Sequence, residues 1–503
     1  METKVLKRFL LYFCFIILVA NSFVISGMGL AESLIPSYGS IIYPTSVNVA
    51  VDFSKVIGSN NLTLATQIHH EWAYLSDYTE LQRKLTDCKF GLVRSFVYHT
   101  QPCISWNEQT RMGVYDWTNF DRLMQTLQVM DIENIMMTVG HVASSGLPSG
   151  MNRNYTDTGL PNPESFATYC RDIALHVKNK GWYVKYWEPF NEPAQIFTDW
   201  TMTALIEAKY QALVNLFNRA SDSILQVFPS ALCGADLSGI KSFLDRFVYD
   251  ARNVGFLSFH KYDAWATSEY HPEAQVSDEE CLRRASLLEG YWTWPPHAFY
   301  TPQEMRDKWR SVRGVELPVI CSETNMNSAW AGGSDPRIQQ VLGGVWYAEE
   351  LRAFVLSNVE YSVYFHFASY DSGEPTGGFG MGMVKMTPSH TEWYPYLTNY
   401  LFGNNLAVGD KIYESSSSKS TAVSTLAWKD SNSYNILLIG KVKDETLRVN
   451  ASIQNASLAG PASIFIMDGT SPQLQVSTEN LVNNTFVIAE NGFFVVLVKI
   501  PYA

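Results

Sequence analysis

From Leu62 to about Leu401 the chain alternates short, almost wholly apolar runs with longer stretches in which apolar residues recur every three or four positions. The short runs have the composition of strands buried on both faces, and the longer ones that of helices packed by one face. Eight strands are predicted: Leu62 to Ile68, Phe90 to Tyr98, Ile132 to Val139, Tyr183 to Phe190, Ala231 to Ala235, Phe256 to His260, Leu317 to Ser322 and Tyr361 to Phe367. Between the fourth and fifth, Ile206, Tyr210, Leu213, Phe217, Ala220 and Ile224 mark a helix over 201 to 227, which Pro229 cannot continue. Another opens at Asp335-Pro336, a cap followed by proline at the first helical position, and buries Ile338, Val341, Val345 and Leu351.

Eight strand and helix repeats predict an α/β fold, a (β/α)8 TIM barrel over 62 to 402. A doubly wound sheet is the alternative, but no Gly-rich nucleotide turn follows the first strand. After Gly403 the helical period stops. Ser420 to Trp428, Tyr434 to Ile439, Ser463 to Met467, Thr485 to Ala489 and Phe493 to Ile500 read as strands of a small C-terminal β-sandwich over 403 to 503. Ile41 to Phe53, in the segment 32 to 61, alternates in the same way and is expected to add a strand to it. Ser415 to Ser418 reads as a solvated loop. There is no internal repeat.

Composition narrows the class. The 503 residues are 46% hydrophobic, enough for one large core and a smaller second one. A formal charge of -12, with no basic run after the first eight residues, argues against nucleic acid as a partner. Lys4, Lys7 and Arg8 precede an apolar run from Phe9 to Ile25 and the small-residue stretch ending at Ala31, which predicts a secretory signal over 1 to 31. An uncleaved anchor is the alternative, since the run is close to bilayer-spanning length. With the signal removed, no membrane partner and a secreted, extracellular protein are expected.

Six cysteines would then remain, enough for three disulfides whose pairing the spacing cannot give, and no CxxC pair points to structural zinc. Sequons at Asn61, Asn154, Asn450, Asn455 and Asn483 suit export. An aromatic content of 14% offers flat rings of the kind that stack on sugars, although most must be core.

The chemistry is concentrated at two strand ends. Trp187-Glu188-Pro189-Phe190-Asn191-Glu192-Pro193 is an apolar strand stopping on Asn-Glu between two prolines, and Leu317-Pro-Val-Ile-Cys-Ser leads into Glu323. Catalytic groups of a barrel sit where its strands end. Two glutamates held there suit glycoside cleavage, in which one carboxyl protonates the departing oxygen and the other meets the oxocarbenium-like carbon. Asn191 is expected to orient a sugar hydroxyl. Strict alternation puts 188, 190 and 192 on one face, so Glu188 is expected one layer deeper as a hydrogen-bonded support.

Through WEPFNEP (187 to 193), SETN (322 to 325), HKY (260 to 262) and GGFGMGMV (377 to 384), followed by a Tyr-rich helix and a β-domain, the chain resembles clan A glycoside hydrolases. It is most similar to family 39, the family of β-xylosidases and α-L-iduronidases, over residues 40 to 503. The resemblance implies a retaining, cofactor-free and metal-free O-glycosyl hydrolase acting on carbohydrate, with Glu192 as acid/base and Glu323 as nucleophile. It also places His260, Tyr262 and Arg94 around the centre. Asn325 of SETN and His141 at the third strand end complete the expected substrate-binding set. Two positions depart from the family: its strand-two His is Phe96, and its strand-eight Trp is Phe365, beside His366. These put β-xylosidase specificity in doubt.

Other readings are an endo-acting β-glycanase, a noncatalytic carbohydrate-binding barrel and a metal-dependent hydrolase using His69, His70, His141, His260 and His366. The last lacks an HxH or HExxH pattern, and GGFGMG lacks the spacing and the Lys-Ser/Thr of a phosphate loop. The insertion from Ala264 to Pro302, with Trp265, Tyr270, Tyr291, Trp292, Trp294 and Tyr300, could build sugar subsites or a lid.

Overall fold

The computed structural model describes residues 45–69, 75–130, 132–141, 146–192, 204–236, 240–264, 276–289, 299–328, 335–369, 380–386 and 389–502. The expected signal segment, His70, the loop aromatics Trp265, Tyr270, Tyr291, Trp292 and Trp294, and Gly377 to Phe379 lie outside them.

The first strand, β1 (Thr45–Ser59), belongs to the accessory sheet. Eight parallel strands follow: β2 (Thr63–Ile68), β3 (Leu92–Phe96), β4 (Asn134–Gly140), β5 (Tyr186–Phe190), β6 (Leu232–Cys233), β7 (Leu257–Ala264), β8 (Val319–Asn327) and β9 (Tyr361–Tyr364). Each pairs with the next in sequence from β2 to β6 and from β7 to β9, and β9 returns to β2. The sheet therefore curls. End strand β6 forms an isolated parallel bridge, Cys233 to Val254, with the segment just before end strand β7, where the Gly255 N–H donates to the Cys233 carbonyl at 2.8 Å.

Helices cover the outside. Ala204–Val227 buries Ile206, Tyr210, Leu213, Phe217, Ala220 and Ile224, the residues its periodicity singled out. Pro302–Arg313 begins with a capping box between Thr301 and Glu304. Asp335-Pro336 caps a short 3-10 turn, Pro336–Gln339, from which the α-helix Val341–Leu356 continues. Among the described residues no helix is long and apolar enough to cross a membrane.

Period-two alternation sets the interior of the curled sheet in layers. Ala65, Leu92, Met136, Tyr186, Phe256, Ile320, Tyr361 and Val363 form an apolar floor. Two residues further along their strands stand Gln67, Arg94, Thr138, Glu188, Ser258 and Ser322, all fully buried. On β8 the register then shifts between Cys321 and Glu323, a bulge that sets Glu323 opposite His260 of β7. The strand continues to Asn327, so Glu323 lies within it and does not close it as expected.

The remaining strands are β10 (Lys411–Ser417), β11 (Val423–Lys429), β12 (Ser433–Gly440), β13 (Thr446–Gln454), β14 (Ala462–Asp468), β15 (Gln475–Glu479), β16 (Thr485–Asn491) and β17 (Phe494–Pro501). With β1 they form one mixed sheet in the order β15-β14-β17-β12-β11-β10-β1-β13-β16. The expected solvated loop at Ser415 to Ser418 is mostly strand instead. Ser415 to Ser417 pair with Val51 to Val49 of β1, because backbone pairing between two neighbours asks nothing of the side chains. Val47, Val49 and Val51 face one apolar cluster with Leu447, Val449, Ile453, Val496 and Val498. The opposite face, with Leu426, Trp428, Leu437, Ile439, Val495 and Leu497, joins the core that surrounds the curled sheet.

Polar bonds reinforce that second contact. Trp428 Nε1 donates to the Asn405 carbonyl at 2.7 Å, and Ser424 Oγ donates at 2.9 Å to Glu349, a fully buried carboxylate on the helix Val341–Leu356. Deleting residues from 411 onward would strip the cover from this face, unpair β1 and cost Glu349 its bonds to Ser424 and Lys441. The truncated protein is expected to be insoluble or to unfold well below the full chain. A soluble, fully active truncation, measured by sedimentation and thermal unfolding, would contradict this.

Candidate active site

The polar layer rises to a cluster at the C-terminal end of the strands. Arg94, wholly buried, is its hub. Its Nε donates to Glu188 at 3.0 Å and to Thr138 at 3.2 Å, Nη1 donates to Gln67 and to Glu323 at 2.8 Å each, and Nη2 donates to Asn191 at 2.7 Å. Ser258 Oγ, at 2.8 Å, and Thr138 Oγ1, at 3.1 Å, also donate to Glu188. Glu188 is thus the buried support that its position predicts. Burial pushes its carboxyl up, but the charges of Arg94 and His260 outweigh this and hold it below its ordinary value.

Alternation fails one step later. The ring of Phe190 packs against Phe217 of an outer helix with centroids 6.2 Å apart, and Asn191 turns inward to Arg94. The expectation of 188, 190 and 192 on one face therefore fails at 190, while Glu188 and Glu192 both reach the centre. The ladder itself keeps its register, pairing Thr138 with Glu188 and Gly140 with Phe190 and skipping Pro189, which has no N–H to give.

Glu192 itself has a φ of 41°, the left-handed region that a side chain normally avoids. Its backbone N–H donates to the carboxylate of Asp236, and its Oε1 lies 3.0 Å from His260 Nδ1. His260 is wholly buried, with Nε2 3.6 Å from Asp236 and 3.5 Å from Arg94 Nη2. Burial lowers the imidazole's proton affinity, but the charge of Glu323, the bond to Glu192 and the charge of Asp236 outweigh it, raising the pKa to about 9. Burial pushes Glu192 up as well, yet the His260 bond and the charges of His260, His141 and Arg94 hold it below its usual value. Asp236 moves the other way, to about 7, chiefly by burial.

Glu323 receives Arg94 on Oε2 and the Tyr262 hydroxyl on Oε1, so both oxygens are oriented. Oxygens of Glu192 and Glu323 and a ring nitrogen of His260 all lie within 4.8 Å of one another. Such a trio could hold a cation. The Arg94 guanidinium and a proton-holding imidazole already supply the positive charge, however, which favours an acid-base centre.

Glu192, Glu323, Asn191, His260, Tyr262 and Arg94 are thus brought together. His141 follows β4 half-buried, with its ring 5.9 Å from that of Tyr98. Burial lowers its pKa against the raising charges of Glu192 and Glu323. Asn325 differs from expectation. Both hydrogens of its amide are used on the Phe365 carbonyl and, at 2.8 Å, the Met381 carbonyl, so it braces the loop after β9 and has no donor left for a sugar. Phe96 and Phe365 both flank His69, with ring centroids at 5.9 and 5.3 Å, and His366 lies 5.5 Å from the same ring.

Asp236 was not singled out by the sequence, where its only signal is a carboxylate after the short run Ala231 to Ala235. All six cysteines after Cys14 are buried and unpaired, so the disulfides their even number allows are not formed.

No protein-family model and no curated protein matches the sequence. Solved structures do match the fold. The crystal structure of the GH39 enzyme from Xanthomonas axonopodis pv. citri is 13% identical, with a TM-score of 0.61 over 94% of this chain and 100% of that one. A monomeric β-xylosidase from Caulobacter crescentus CB15 gives 13% identity and a TM-score of 0.61 over 90% and 99%. CelM2, a bifunctional glucanase-xylanase from a metagenome library, gives 13% and 0.61 over 92% and 100%. At such identities the likeness establishes the fold, which is the one these glycoside hydrolases share.

The raised His260 pKa has a consequence for stability. A folded-state value of about 9 against an ordinary 6.5 means that its contribution is complete below pH 6.5 and is lost as pH rises through about 9. His260→Gln should therefore lower the thermal midpoint most near pH 5 to 6.5, with the deficit shrinking toward pH 10. Thermal unfolding of both proteins across that range checks it, and a constant deficit would refute the charge argument.

Proposed function

We propose that the protein is a secreted, retaining clan A glycoside hydrolase, related to family 39, that cleaves β-linked glycosides of plant-type or microbial polysaccharides and oligosaccharides. The observation that carries this reading is the pair Glu192 and Glu323, with oxygens within 4.8 Å of each other at the C-terminal end of the curled sheet. That separation suits attack by one carboxylate on the sugar, since inverting enzymes hold theirs about 6.5 to 9.5 Å apart to admit a water. The neighbours named as xylosidase, xylanase and glucanase support β-glycans as the substrate class. The nine-stranded sheet, folded over its own apolar cluster, is read as the accessory β-sandwich.

Glu323, oriented by Arg94 and Tyr262, attacks the anomeric carbon as the glycosidic C–O bond breaks. The proton for the departing oxygen comes from the Glu192–His260 pair, which holds it on the imidazole in the free protein. Transfer from Nδ1 to Oε1 arms Glu192, and Glu192 passes the proton to the leaving group. Glu192 then takes a proton from water, the resulting oxygen attacks the anomeric carbon, and the ester to Glu323 breaks with the original configuration restored.

A substrate carrying fluorine at C2 and a good leaving group should trap the intermediate, because fluorine slows both steps while the leaving group preserves the first. Peptide mass spectrometry is expected to find the sugar on Glu323, and proton NMR with a natural substrate should show the retained anomer first. An inverted first product, or a label on Glu188 or Glu192, overturns the role assignment.

Glu192→Gln should cost about 10²- to 10⁴-fold on substrates with poor leaving groups, the usual range for general acid-base assistance. The loss should be much smaller for the glycosylation step on activated aryl glycosides, whose departing oxygen needs little protonation. Equal losses across a leaving-group series would count against the acid role.

A further inference from the structure

We infer that Asp236 is a positioning residue for the acid/base carboxyl, fixing the backbone of Glu192 and closing the far side of the His260 ring; this rests on the reading of Glu192 as acid/base. Asp236 follows β6, one of the two end strands of the curled sheet. It is 1% exposed, and its two oxygens are used unequally. Oδ2 accepts the Glu192 N–H and lies 3.6 Å from His260 Nε2, whereas Oδ1 is buried with no hydrogen-bond partner among the described residues.

A carboxyl is a costly way to satisfy one backbone N–H, since a carbonyl or an amide would do so without burying an ionisable group. Two features of the site give it a purpose. The first is the left-handed backbone at Glu192, where φ is 41°. A conformation that a side-chain-bearing residue disfavours persists only where its surroundings hold it, and the bond from the Glu192 N–H to Asp236 does so while setting the direction in which the catalytic side chain leaves the chain. The second is the imidazole, which has Glu192 at 3.0 Å on Nδ1 and Asp236 on the Nε2 side. The ring is thus held between two carboxyls, and the one facing away from the substrate pair is Asp236.

The charged and titratable groups around the ring come from every neighbouring strand. They are Arg94 on β3, His141 after β4, Glu188 and Glu192 on and after β5, Asp236 after β6, and Glu323 on β8. Among the described hydrogen bonds Arg94 bonds Glu188 and Glu323 but neither Glu192 nor Asp236, so the charge of Asp236 bears on His260 and Glu192 without a guanidinium bond of its own. Removing that charge lowers the proton affinity of both groups.

Two variants of the full chain separate the contacts. Asp236→Asn keeps an acceptor for the Glu192 N–H and drops the charge; Asp236→Ala drops both. Asp236→Ala is expected to lose about 10- to 100-fold in kcat on poor leaving groups, the scale of a misplaced catalytic group, with little change on activated aryl glycosides and little change in KM. Asp236→Asn should keep the native leaving-group profile while the basic limb of its pH–rate curve moves to lower pH. NMR titration of histidine-labelled protein, with His260 assigned through His260→Gln, should show the His260 midpoint falling in Asp236→Asn whether or not the substrate is known. A moved His260 midpoint in a protein whose native form cleaves no glycoside supports the contact and overturns the glycosidase reading. An unmoved midpoint, with equal losses across the leaving-group series in Asp236→Ala, overturns the inference and leaves that reading standing.

Discussion

The guanidinium of Arg94 is the constraint on which the centre depends. It is wholly buried and shared between Glu188 on β5 and Glu323 on β8, so one side chain ties together three strands on different sides of the curled sheet. Taking these charges out of water is expensive, and their mutual attraction offsets the cost only while every partner is present. Gln67, Thr138, Ser258 and Asn191 supply the remaining bonds around the ion pairs. An apolar layer in the same place would fold at least as well. The polar one fixes the directions of a carboxylate and an amide on the layer above, and orientation of that kind is what catalysis draws on.

The same strands are also held from outside, by the side chains that alternation sends the other way. Between His260 and Tyr262, Lys261 Nζ lies 2.7 Å from Asp263 and 3.2 Å from Glu350, and Thr324, next to Glu323, donates to Glu350 at 2.9 Å. Glu350 belongs to the helix Val341–Leu356, whose preceding residue, Glu349, accepts Ser424 of the nine-stranded sheet. Consecutive carboxylates on one helix thus bind in two directions, one to β7 and β8 and the other to the accessory sheet. The accessory sheet is in this sense part of the support of β7 and β8, which explains why its inner face carries Trp428, Leu437 and Leu497 in the same apolar core as the helices.

What could be read from the sequence follows from how local each cause is. The eight strands, their helices and the two glutamates are written in periodicity and in strand ends, so they were legible. Phe190 was misplaced because strict alternation was carried to the very end of the strand, where the chain instead turns Asn191 inward to Arg94 and Phe190 outward to Phe217. Ser415 to Ser418 were read as loop because their side chains are polar, whereas their strand is imposed by β1, more than 350 residues earlier in the chain. Asp236 was illegible for a related reason. Its importance lies in a backbone N–H of Glu192 and a ring nitrogen of His260, neither of which has a sequence signature. Asn325 shows the converse, since a motif residue is recognisable while the carbonyls that consume its amide are not.

The two departures from the family pattern fall in one place, and that place differs in kind from the carboxylate centre. Phe96 and Phe365 stand around His69, and the Arg94 guanidinium lies over the Phe96 ring, 4.7 Å from its centroid. Tyr98 stacks on Phe96 at 4.8 Å, and His99 packs edge-on to both His69 and Tyr98. At these two positions of the wall phenyl rings offer only faces and edges, where imidazole or indole would add an N–H group. The carboxylates beneath are held by buried charges that tolerate little change, whereas the wall is a set of rings whose replacement leaves those bonds in place. The buried charge network and the ring cluster thus rest on separate groups of residues, and the solved structures that share this fold at 13% identity carry different stated activities.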